Sequence, residues 1–574
     1  MLAVAVQHAF FSLSPDSSFI PSLMLASLPL WGLCVALFSH REALLRVVTG
    51  IVFLFACVSV YDYVALGQRA HAPLWDPNNY ATLLYLVWIP WLCRSLSPER
   101  PSVFGLLSLL MASAVFCLAL LATQSRVAIL VLAGSVLLIG FLTVRFRLSW
   151  WRGLAIVAGV ALASAYYGFE DARVVTDAVA VGSEARSEAY RLSMLEAAFA
   201  AVREYGGLMG SGLYTFSLLY PQFRSPQEQD TMGLFVHNDL VQIFLEGGVW
   251  LTLPLLVFIA WVAVTGARRC LLDKAWDPRI GLLVALGLAL INSFVNFVFY
   301  VLPLLVVMGI LLGCYWGASV RAPVAAGRHR AALRYGAARW ALVVALVVNL
   351  GFLTVDALTY GVFSNHLHVP GARALRETPE RMLAFSRWVQ GVNADRGIPV
   401  LAEAQLLERR YGSERQPLQL TQAQLAYARA IEVDPWNPLA YMAYAGFLSR
   451  HPDAFPEGAA ASAEATMLLY NKALSLNPAN SRSNLAALDR AAHLGQERFV
   501  VHVAENVLTW CRVIARESGD TTMLFERARQ VFEGLGEEEK ANRLARCETS
   551  TRASNNSGKK TPTWMMRWLR NQRA

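Results

Sequence analysis

The chain has 574 residues, of which 56% are hydrophobic and only 16% are charged, and its mean hydropathy is +0.41. This composition excludes an ordinary soluble globular protein, which has a smaller apolar share. The formal net charge is +9. We attribute this positive charge to the orientation of the protein in a membrane. We expect no nucleic-acid partner.

Long apolar runs lie almost entirely within residues 1–358, whereas residues 359–574 are polar and helix-forming in composition. We therefore predict an all-α fold, with a polytopic membrane helix bundle of about ten spans or more and a helical C-terminal domain. The predicted units are an apolar segment of uncertain role at 1–18, a membrane domain at 19–358, a helical domain at 359–548 and a basic tail at 549–574.

The first residues of the chain are apolar but too few to span a membrane. Residues 2–12 read LAVAVQHAFFS and have no basic flank, so they do not resemble a signal peptide. Two interpretations stay open: a re-entrant piece, or the end of a helix that begins further upstream.

Ten apolar runs approach the roughly 20 residues that a helix needs to cross the hydrocarbon core. They lie at about 19–38, 47–67, 80–93, 103–122, 127–144, 151–169, 238–265, 280–298, 300–319 and 338–358.

Positive charge is concentrated in alternate loops between these runs, and the positive-inside rule makes those loops cytoplasmic. The basic loops contain Arg41 and Arg46; Arg94 and Arg100; Arg145, Arg147 and Arg152; Arg268, Arg269, Lys274 and Arg279; and Arg321, Arg328, Arg330 and Arg334. The other loops then face outward, including 68–79, the turn at 124–126, the long segment 170–236 and everything after residue 358.

Two short polar stretches begin helices on the outward face. Asp76–Asn78 reads DPN, in which proline fixes a turn and asparagine side chains cap the following helix. Thr123–Arg126 reads TQSR and places one cation between two closely connected spans, with no carboxylate nearby in sequence. We expect Arg126 to bind an anion, and both a lipid headgroup and a substrate phosphate stay open.

The outward segment 170–236 is rich in arginine, with Arg186, Arg191, Arg203 and Arg224. From Arg191 to Gly212 the pattern predicts an amphipathic helix that ends in a group of glycines. Glycine there permits a turn close to a ligand or to the lipid surface. Tyr220 follows this turn.

His237 begins the next predicted helix, in FVHNDLVQIFLEGGVW. The positive end of a helix dipole disfavours the imidazolium, so we predict a neutral ring that accepts a proton. Glu246 lies about 13 Å further along the helix axis and on the opposite face, so we expect it to bond elsewhere. A histidine that merely caps the helix at the membrane interface is the alternative interpretation.

Cysteine usage gives no sign of a metal site. Six cysteines lie in or beside spans or in a cytoplasmic loop, where small apolar packing explains them: Cys34, Cys57, Cys93, Cys117, Cys270 and Cys314. Cys511 and Cys547 lie in the outward C-terminal domain, where a disulfide and two free thiols are both open. No CxxC or His-rich spacing is present, and we expect no metal or cofactor.

The C-terminal domain contains an internal echo. AIEVDPWN at 430–437 returns as ALSLNPAN at 473–480, and each copy lies between helices with apolar periodicity. This resembles tetratricopeptide helix pairs, although the spacing is longer than is usual for them. A concave surface for a peptide or protein partner and a cap that only shields the membrane domain are both open.

The basic tail at 549–574 mixes arginine with Trp564 and Trp568. This composition fits an anionic membrane surface, and a disordered tail is the alternative.

Four of these stretches resemble motifs of the O-antigen ligase and polymerase superfamily of bacterial membrane glycosyltransferases, which also contains protein O-oligosaccharyltransferases. The resemblance covers about residues 60–320. Asp76–Asn78 is similar to a PN-containing loop, and Thr123–Arg126 to a T-x-S-R turn. The block from Arg191 to Gly212 resembles "R-L-x-x-W-x-x-A-L … P-L-x-G-x-G", and HNDLVQIFLEGG at 237–248 resembles "H-N-x-x-L-Q-x-x-x-E-x-G".

The chain departs from the family pattern at three positions. Leu195 replaces the usual tryptophan, Gly206 falls where a proline is usual, and Asn296 lies where aspartate is common.

The resemblance implies transfer of a glycan from an undecaprenyl-diphosphate carrier to a hydroxyl acceptor at the periplasmic face of the bacterial inner membrane. It implies a multi-pass protein with a periplasmic C-terminal domain and inversion at the anomeric centre without a metal. In this scheme His237 is the general base, and Arg191 and Arg126 bind the diphosphate. The further substrate-binding candidates are Asn238, Arg186, Arg224, Asn78 and Tyr220.

Several functions remain open within this resemblance. A ligase joins the glycan to lipid A core, a polymerase extends the glycan on its own carrier, and an oligosaccharyltransferase uses a protein hydroxyl. Partners would be inner-membrane lipids, the lipid-linked donor and one of these acceptors, with a protein partner on the helical-repeat domain as a further option. The non-enzymatic alternative is a transporter, which would carry more polar residues within its spans than Asn292 and Asn349.

Overall fold

We describe a computed structural model of the chain over residues 2–38, 40–71, 73–74, 76–174, 180–226, 233–317, 329–363, 372–394, 396–452, 459–515 and 521–558. Within those ranges the structure describes only the backbone at residues 2, 3, 9, 169–174, 180–188, 329–335, 459 and 550–558. The basic tail from residue 559 and Trp75 lie outside the described residues. This part of the chain is helical and contains no strand, which confirms the predicted all-α class.

The first part of the chain forms thirteen described helices and one short 3-10 turn at Val298–Tyr300. They are α1 Leu2–Phe11, α2 Pro15–Ala36, α3 Arg41–Leu66, α4 Pro77–Ser95, α5 Val103–Ala122, α6 Arg126–Arg145, α7 Trp150–Val174, α8 Ala180–Tyr205, α9 Phe216–Phe223, α10 Asp239–Leu271, α11 Ile280–Asn292, α12 Leu302–Gly317 and α13 His329–Phe363. The helix predicted from Arg191 is longer than expected, because α8 begins at Ala180.

The C-terminal part forms eleven shorter described helices. They are α14 Ala372–Arg376, α15 Pro379–Val392, α16 Gly397–Glu414, α17 Pro417–Val433, α18 Pro438–Arg450, α19 Ala459–Leu476, α20 Ser481–His493, α21 Glu497–Thr509, α22 Cys511–Ile514, α23 Thr522–Gly534 and α24 Glu538–Gly558.

Each predicted span coincides with a helix, but the predicted number of ten is not confirmed. Six helices in the described ranges are long and apolar enough to cross a membrane: α2, α3, α5, α6, α10 and the Gly336–Phe363 part of α13. The helices α11 and α12 are apolar but have only 13 and 16 residues. Residues 80–90 of α4 are all buried, because the neighbouring helices surround it.

The polar residues within the bundle join helices to each other. Asn292 donates from Nδ2 to Thr82 Oγ1 at 2.7 Å. Asn349 donates to the Leu23 carbonyl at 2.9 Å and accepts from the Ser27 hydroxyl at 3.0 Å. These contacts pair the Asn292 amide nitrogen and both polar atoms of the Asn349 side chain with neighbouring helices, which assigns both asparagines to helix packing.

The N-terminal segment packs against α10 near the kink at Gly248. Gln7 donates from Nε2 to the Glu246 carbonyl at 3.0 Å, and the Leu13 amide donates to the Ser211 carbonyl at 2.8 Å. Ser14 then caps α2 through the Ser17 amide. Residues 2–14 therefore support the region around α10 that carries the candidate site.

The two copies of the C-terminal echo are helix-to-helix turns. Asn437 accepts from the Leu439 amide at 3.0 Å and caps α18, and Asn480 accepts from the Ser483 amide at 2.8 Å and caps α20. Asparagine is a preferred N-cap, which explains why both turns end on it. The helices pack as consecutive pairs, and the tetratricopeptide-like assignment stays a prediction.

Cys511 and Cys547 form a disulfide with Cα atoms 6.3 Å apart. The bond joins the short helix α22 to α24, next to the buried side chains of Leu544 and Trp510. Of the two options left open by the sequence, the structure has the paired one.

Buried ionic contacts hold the C-terminal domain on the membrane domain. The Arg396 guanidinium bonds the Asp16 carboxylate at 2.7 Å and also contacts Asp356 of α13. Ser14 donates to Asp434 at 3.3 Å. Both ends of this cluster are buried, so removing one partner would leave an uncompensated charge.

Candidate active site

His237 lies immediately before α10 in a left-handed backbone conformation, with φ of 57°. Asn238 is the N-cap of α10 and accepts from the Val241 amide at 3.1 Å. The His237 ring meets the edge of Phe297, with the centroids 5.1 Å apart. Its Nδ1 is buried and has no hydrogen-bond partner in the described part of the chain. The helix is therefore capped by the neighbour, and the imidazole nitrogen is left available.

The pKa of His237 is lowered to about 4, chiefly because burial disfavours the charged ring. The positive charge of Arg191 lowers the pKa further, and the negative charge of Asp76 opposes both effects. The place of His237 at a helix start predicts the neutral form through the helix dipole, whereas desolvation is the larger cause in the structure. At neutral pH the ring is uncharged.

Arg191 lies near the middle of α8 and is half-buried. Its guanidinium makes no hydrogen bond or ion pair with any described residue, although its charge acts on His237. A cation without a carboxylate beside a neutral imidazole is suited to binding an anion such as a phosphate.

The Thr123–Arg126 turn packs directly on the helix that follows the DPN stretch. Ser125 donates from Oγ to Asn78 Oδ1 at 2.8 Å. Arg69 donates from Nε to the Thr123 carbonyl at 2.7 Å, so a second cation adjoins this turn. Arg126 is exposed in the first turn of α6. Sequence reasoning missed Arg69, whose only signal was its place in an outward loop.

A chain of contacts joins this turn to His237. Asn79, next to Asn78, accepts from Asn296 Nδ2 at 3.1 Å. Asn296 precedes Phe297, which packs on the His237 ring. The structure therefore brings the DPN stretch, the TQSR turn, Arg191 and His237 to one region, and the departure at Asn296 lies inside it.

Asp239 anchors the segment that carries Phe297. The carboxylate is fully buried and accepts from the backbone amides of Val298 at 2.7 Å and Phe299 at 3.1 Å. This contact fixes the turn after α11 against the start of α10, and it joins segments about 60 residues apart, so no local pattern predicts it.

Glu246 bonds away from His237, in agreement with the helical geometry. Its buried carboxylate accepts from the Tyr214 amide at 2.7 Å, the Phe216 amide at 3.1 Å and Gln242 Nε2 at 3.0 Å, and from the Tyr300 hydroxyl. Four donors on one carboxylate lock the segment after the glycines onto α10. Glu246 thus positions the segment around Tyr214 and Phe216 against α10.

Glycine at 248 is required by this docking. Gly248 has φ of 60°, which breaks α10, and a Cβ there would lie 2.4 Å from the Leu208 carbonyl oxygen. Gly210, with φ of 71°, would place a Cβ 2.5 Å from the Glu246 carbonyl. Only glycine permits this close approach of two backbones.

Tyr220 and Arg224, two further substrate-binding candidates, contact different parts of the protein. The Tyr220 ring is buried in the core of the outward loop beside Phe216, so we assign it to packing. The Arg224 guanidinium lies over the Trp510 ring, 5.5 Å from its centroid, and contacts the C-terminal domain. The side chain of Arg186 lies outside the described residues.

A cavity of about 450 Å³, here called the interface cavity, lies next to this region between the membrane and C-terminal domains. Tyr214, Phe235 and Tyr300 form one wall. Phe235 stacks on Phe297 with the centroids 4.1 Å apart, so the cavity adjoins the residue that packs on His237. Aromatic faces with hydroxyl groups beside them are suited to a ring-shaped polar ligand.

A comparison with protein-family models matches residues 108–256 to the family described as O-antigen ligase. The matched stretch covers about a quarter of the chain and contains Arg126, Arg191 and His237. It confirms the resemblance to the O-antigen ligase superfamily. A search of curated proteins and a search of solved structures found no significant match.

Proposed function

We propose, from the O-antigen ligase domain that residues 108–256 carry, that this multi-pass membrane protein transfers a glycan from a lipid-diphosphate carrier to a hydroxyl acceptor. The observation that carries the proposal is an uncharged His237 with an available buried nitrogen beside the unengaged guanidinium of Arg191. The carrier is undecaprenyl diphosphate, and the reaction takes place at the periplasmic face of the inner membrane.

Proton transfer falls to His237 in this proposal. The acceptor oxygen attacks the anomeric carbon, and the imidazole takes the hydroxyl proton as the new carbon–oxygen bond forms. A neutral ring is required for this step, and burial keeps it neutral. Attack on the face opposite the leaving group inverts the anomeric centre.

The leaving group is the lipid diphosphate, which takes the electron pair of the broken anomeric bond. Arg191 contributes a guanidinium whose paired N–H groups match phosphate oxygens, and its charge stabilises the anion as it develops. Arg126 and Arg69 lie at the neighbouring turn and bind the more distant phosphate. Asn78 holds that turn in place through Ser125.

Two features support an outward location of the site. The loops that contain these residues alternate with the basic loops, as the positive-inside rule requires. The C-terminal domain that adjoins the interface cavity carries the Cys511–Cys547 disulfide, and such bonds form in oxidising compartments such as the periplasm.

A deletion strain tests the proposed function in cells and separates its three forms. We propose the ligase form first, for which we expect loss of capped lipopolysaccharide and accumulation of carrier-linked polymer. Products with a single repeat unit would indicate the polymerase instead, and unglycosylated acceptor proteins the oligosaccharyltransferase. If all three kinds of glycan are normal in the deletion strain, the proposal is contradicted. The control for this outcome is that plasmid-borne wild-type protein is shown to be expressed.

The pH dependence of transfer should reflect the low pKa of His237. The base acts in its neutral form, so activity is present above the pKa and is lost as the pH falls through it. For the free protein, whose His237 pKa is about 4, kcat/KM should be flat from pH 8 to about 5 and then fall. Bound diphosphate adds negative charge beside the ring and favours the imidazolium, so kcat should fall at a higher pH than kcat/KM.

Initial rates with purified protein in lipid vesicles, measured at several donor concentrations, check this expectation. A fall of kcat/KM near pH 6.5, the ordinary value for histidine, would contradict the buried, uncharged state of the free enzyme.

A further inference from the structure

Two further cavities continue from the interface cavity across the C-terminal domain. A second cavity, of about 340 Å³, shares Tyr360, Ile398 and Asn437 with the interface cavity. A third, of about 720 Å³, shares Gln405 and Arg409 with the second. The three cavities therefore adjoin one another in a row from the wall beside Phe297 to the surface of the helical domain, and we call this row the path.

The third cavity is a groove lined mainly by alternate helices of the domain. Its walls come from α16, α18 and α20, with one tyrosine each from α17 and α19. Stacked helix pairs present every second helix on one face, which produces an extended binding surface. We call this cavity the arginine groove.

Positive charge dominates the arginine groove. Its lining includes four arginines, Arg409, Arg415, Arg450 and Arg482, and one carboxylate, Glu408. Arg409, Arg415 and Arg482 are exposed and have no ion pair with a described residue.

The single carboxylate that lines the arginine groove, Glu408, already has hydrogen-bond and ion-pair partners. Glu408 accepts from Arg450 at 2.9 and 3.1 Å, from the Tyr427 hydroxyl at 2.8 Å, and lies 3.2 Å from His451 Nε2. Burial raises the pKa of Glu408, but these donors together lower the pKa by more, so the net shift is downward. Glu408 therefore remains an anion and holds Arg450 in place. The charges left for a ligand are therefore cationic.

We propose that the path of three cavities binds an extended acidic glycan chain, with its acidic sugars in the arginine groove and its reacting end at the interface cavity. The inference rests on the proposed function and adds to it the charge class of the polymer. Carboxylates on the sugars match the unpaired guanidinium groups, and tyrosine rings beside them suit sugar faces. A row of adjoining cavities, in place of one closed pocket, fits a chain of several sugars.

The two ends of the path differ in charge, which gives the chain a direction. The lining of the interface cavity includes three acidic side chains and one cation: Arg396 bonds both Asp16 and Asp356, and Asp434 accepts from Ser14. Carboxylates there can accept from sugar hydroxyls but would repel acidic groups. The acidic sugars are therefore held away from the reacting end.

Binding of defined polymers to the full-length protein in detergent tests the proposal without the transfer reaction. The probes are polygalacturonate, dextran of matched length and poly-glutamate. The groove variant carries Arg409→Gln, Arg415→Gln and Arg482→Gln, and spares Arg450 because it pairs with Glu408. The control variant carries Arg429→Gln, Arg498→Gln and Arg512→Gln, three exposed arginines outside the groove, and has the same net charge.

We expect wild-type protein to bind polygalacturonate more tightly than either other probe, and added salt to weaken this binding. The groove variant should lose roughly tenfold or more in affinity for it, whereas the control variant should stay within about twofold of wild type. Equal losses in the two variants, or dextran bound as tightly as polygalacturonate, would overturn the proposal. Tighter binding of poly-glutamate would assign the groove to an acidic peptide and overturn it as well.

A His237→Ala protein separates this inference from the proposed function. It should bind polygalacturonate as wild type does while transfer is lost. Transfer that persists in this variant counts against the catalytic proposal alone, and binding that fails in the wild type counts against the polymer path alone.

Discussion

Replacing His237 with asparagine should lower kcat for glycan transfer by roughly 10²- to 10⁴-fold, the usual contribution of a general base. Asparagine tolerates the left-handed backbone that His237 adopts at φ 57° and keeps a polar side chain, but it cannot take a proton. Because the His237 ring makes no hydrogen bond to a described residue through Nδ1, the fold should persist. The measurement is the rate of product formation by purified protein in vesicles, together with KM for the donor.

His71→Asn is the matched control, because His71 is an exposed histidine in the outward loop before α4. It should transfer at the wild-type rate. A His237→Asn protein that keeps half of the wild-type kcat would remove His237 from the chemistry and assign the ring to packing against Phe297.

Replacing Arg191 with alanine should lower kcat by about 10²- to 10³-fold, as expected when one preorganised donor to a developing anion is removed. Lysine at this position keeps the charge but loses the paired N–H geometry, so Arg191→Lys should recover only part of the rate. The same variants carry a second signature. Removing the positive charge beside His237 should raise the pKa of the imidazole, and the acid limb of kcat/KM should move to higher pH in Arg191→Ala.

Arg203 provides the control for this prediction, since it is an exposed arginine further along α8. Arg203→Ala should leave both the rate and the pH profile unchanged. If Arg191→Ala lowers the rate but leaves the acid limb of kcat/KM where it was, the guanidinium does not act beside His237 in the working enzyme.

The elements of the fold follow from local sequence, because each depends on residues close together in the chain. Asp76, and not one of the asparagines that the sequence analysis names, caps α4 through the Asn79 amide at 2.9 Å, so the cap falls within the predicted stretch but on a different side chain. The paired echo in the C-terminal domain ends each time on an asparagine that caps the next helix. Long apolar runs predicted helices correctly, since a backbone in lipid must satisfy its own hydrogen bonds.

The span count could not be read in the same way. Hydropathy predicts lipid contact, whereas α4 is enclosed by other helices and α11 is only 13 residues long. Whether a short or enclosed helix crosses the bilayer depends on its neighbours, which a single run does not reveal.

The architecture of the site was only partly visible in the sequence. Motif order placed Arg191 and His237 on the same side, but their proximity depends on contacts between distant segments. Asp239 and Glu246 hold backbone amides of two different loops, and neither contact has a local signal. For the same reason the N-terminal segment looked unexplained, although Gln7 bonds the carbonyl at the kink of α10.

Tyr220 and Arg224 make packing contacts that composition does not reveal, and their role in substrate binding stays a prediction. Both lie in an outward loop rich in polar and aromatic residues, which favoured contact with substrate. The ring of Tyr220 is buried in the core of the loop, and Arg224 contacts Trp510 of the C-terminal domain. Side chains that join two parts of a protein have the same composition as those that bind ligands.

The most direct test of the central claim is a reaction with purified wild-type protein, a lipid-diphosphate-linked glycan and a hydroxyl acceptor in the presence of EDTA. The amounts of released lipid diphosphate and of new glycosidic bonds are each measured in the same reaction, and the anomeric configuration of the product is determined. We expect one lipid diphosphate released per bond formed, inversion at the anomeric carbon and no loss of rate on chelation. Retention of configuration, or a new bond without release of lipid diphosphate, would contradict it.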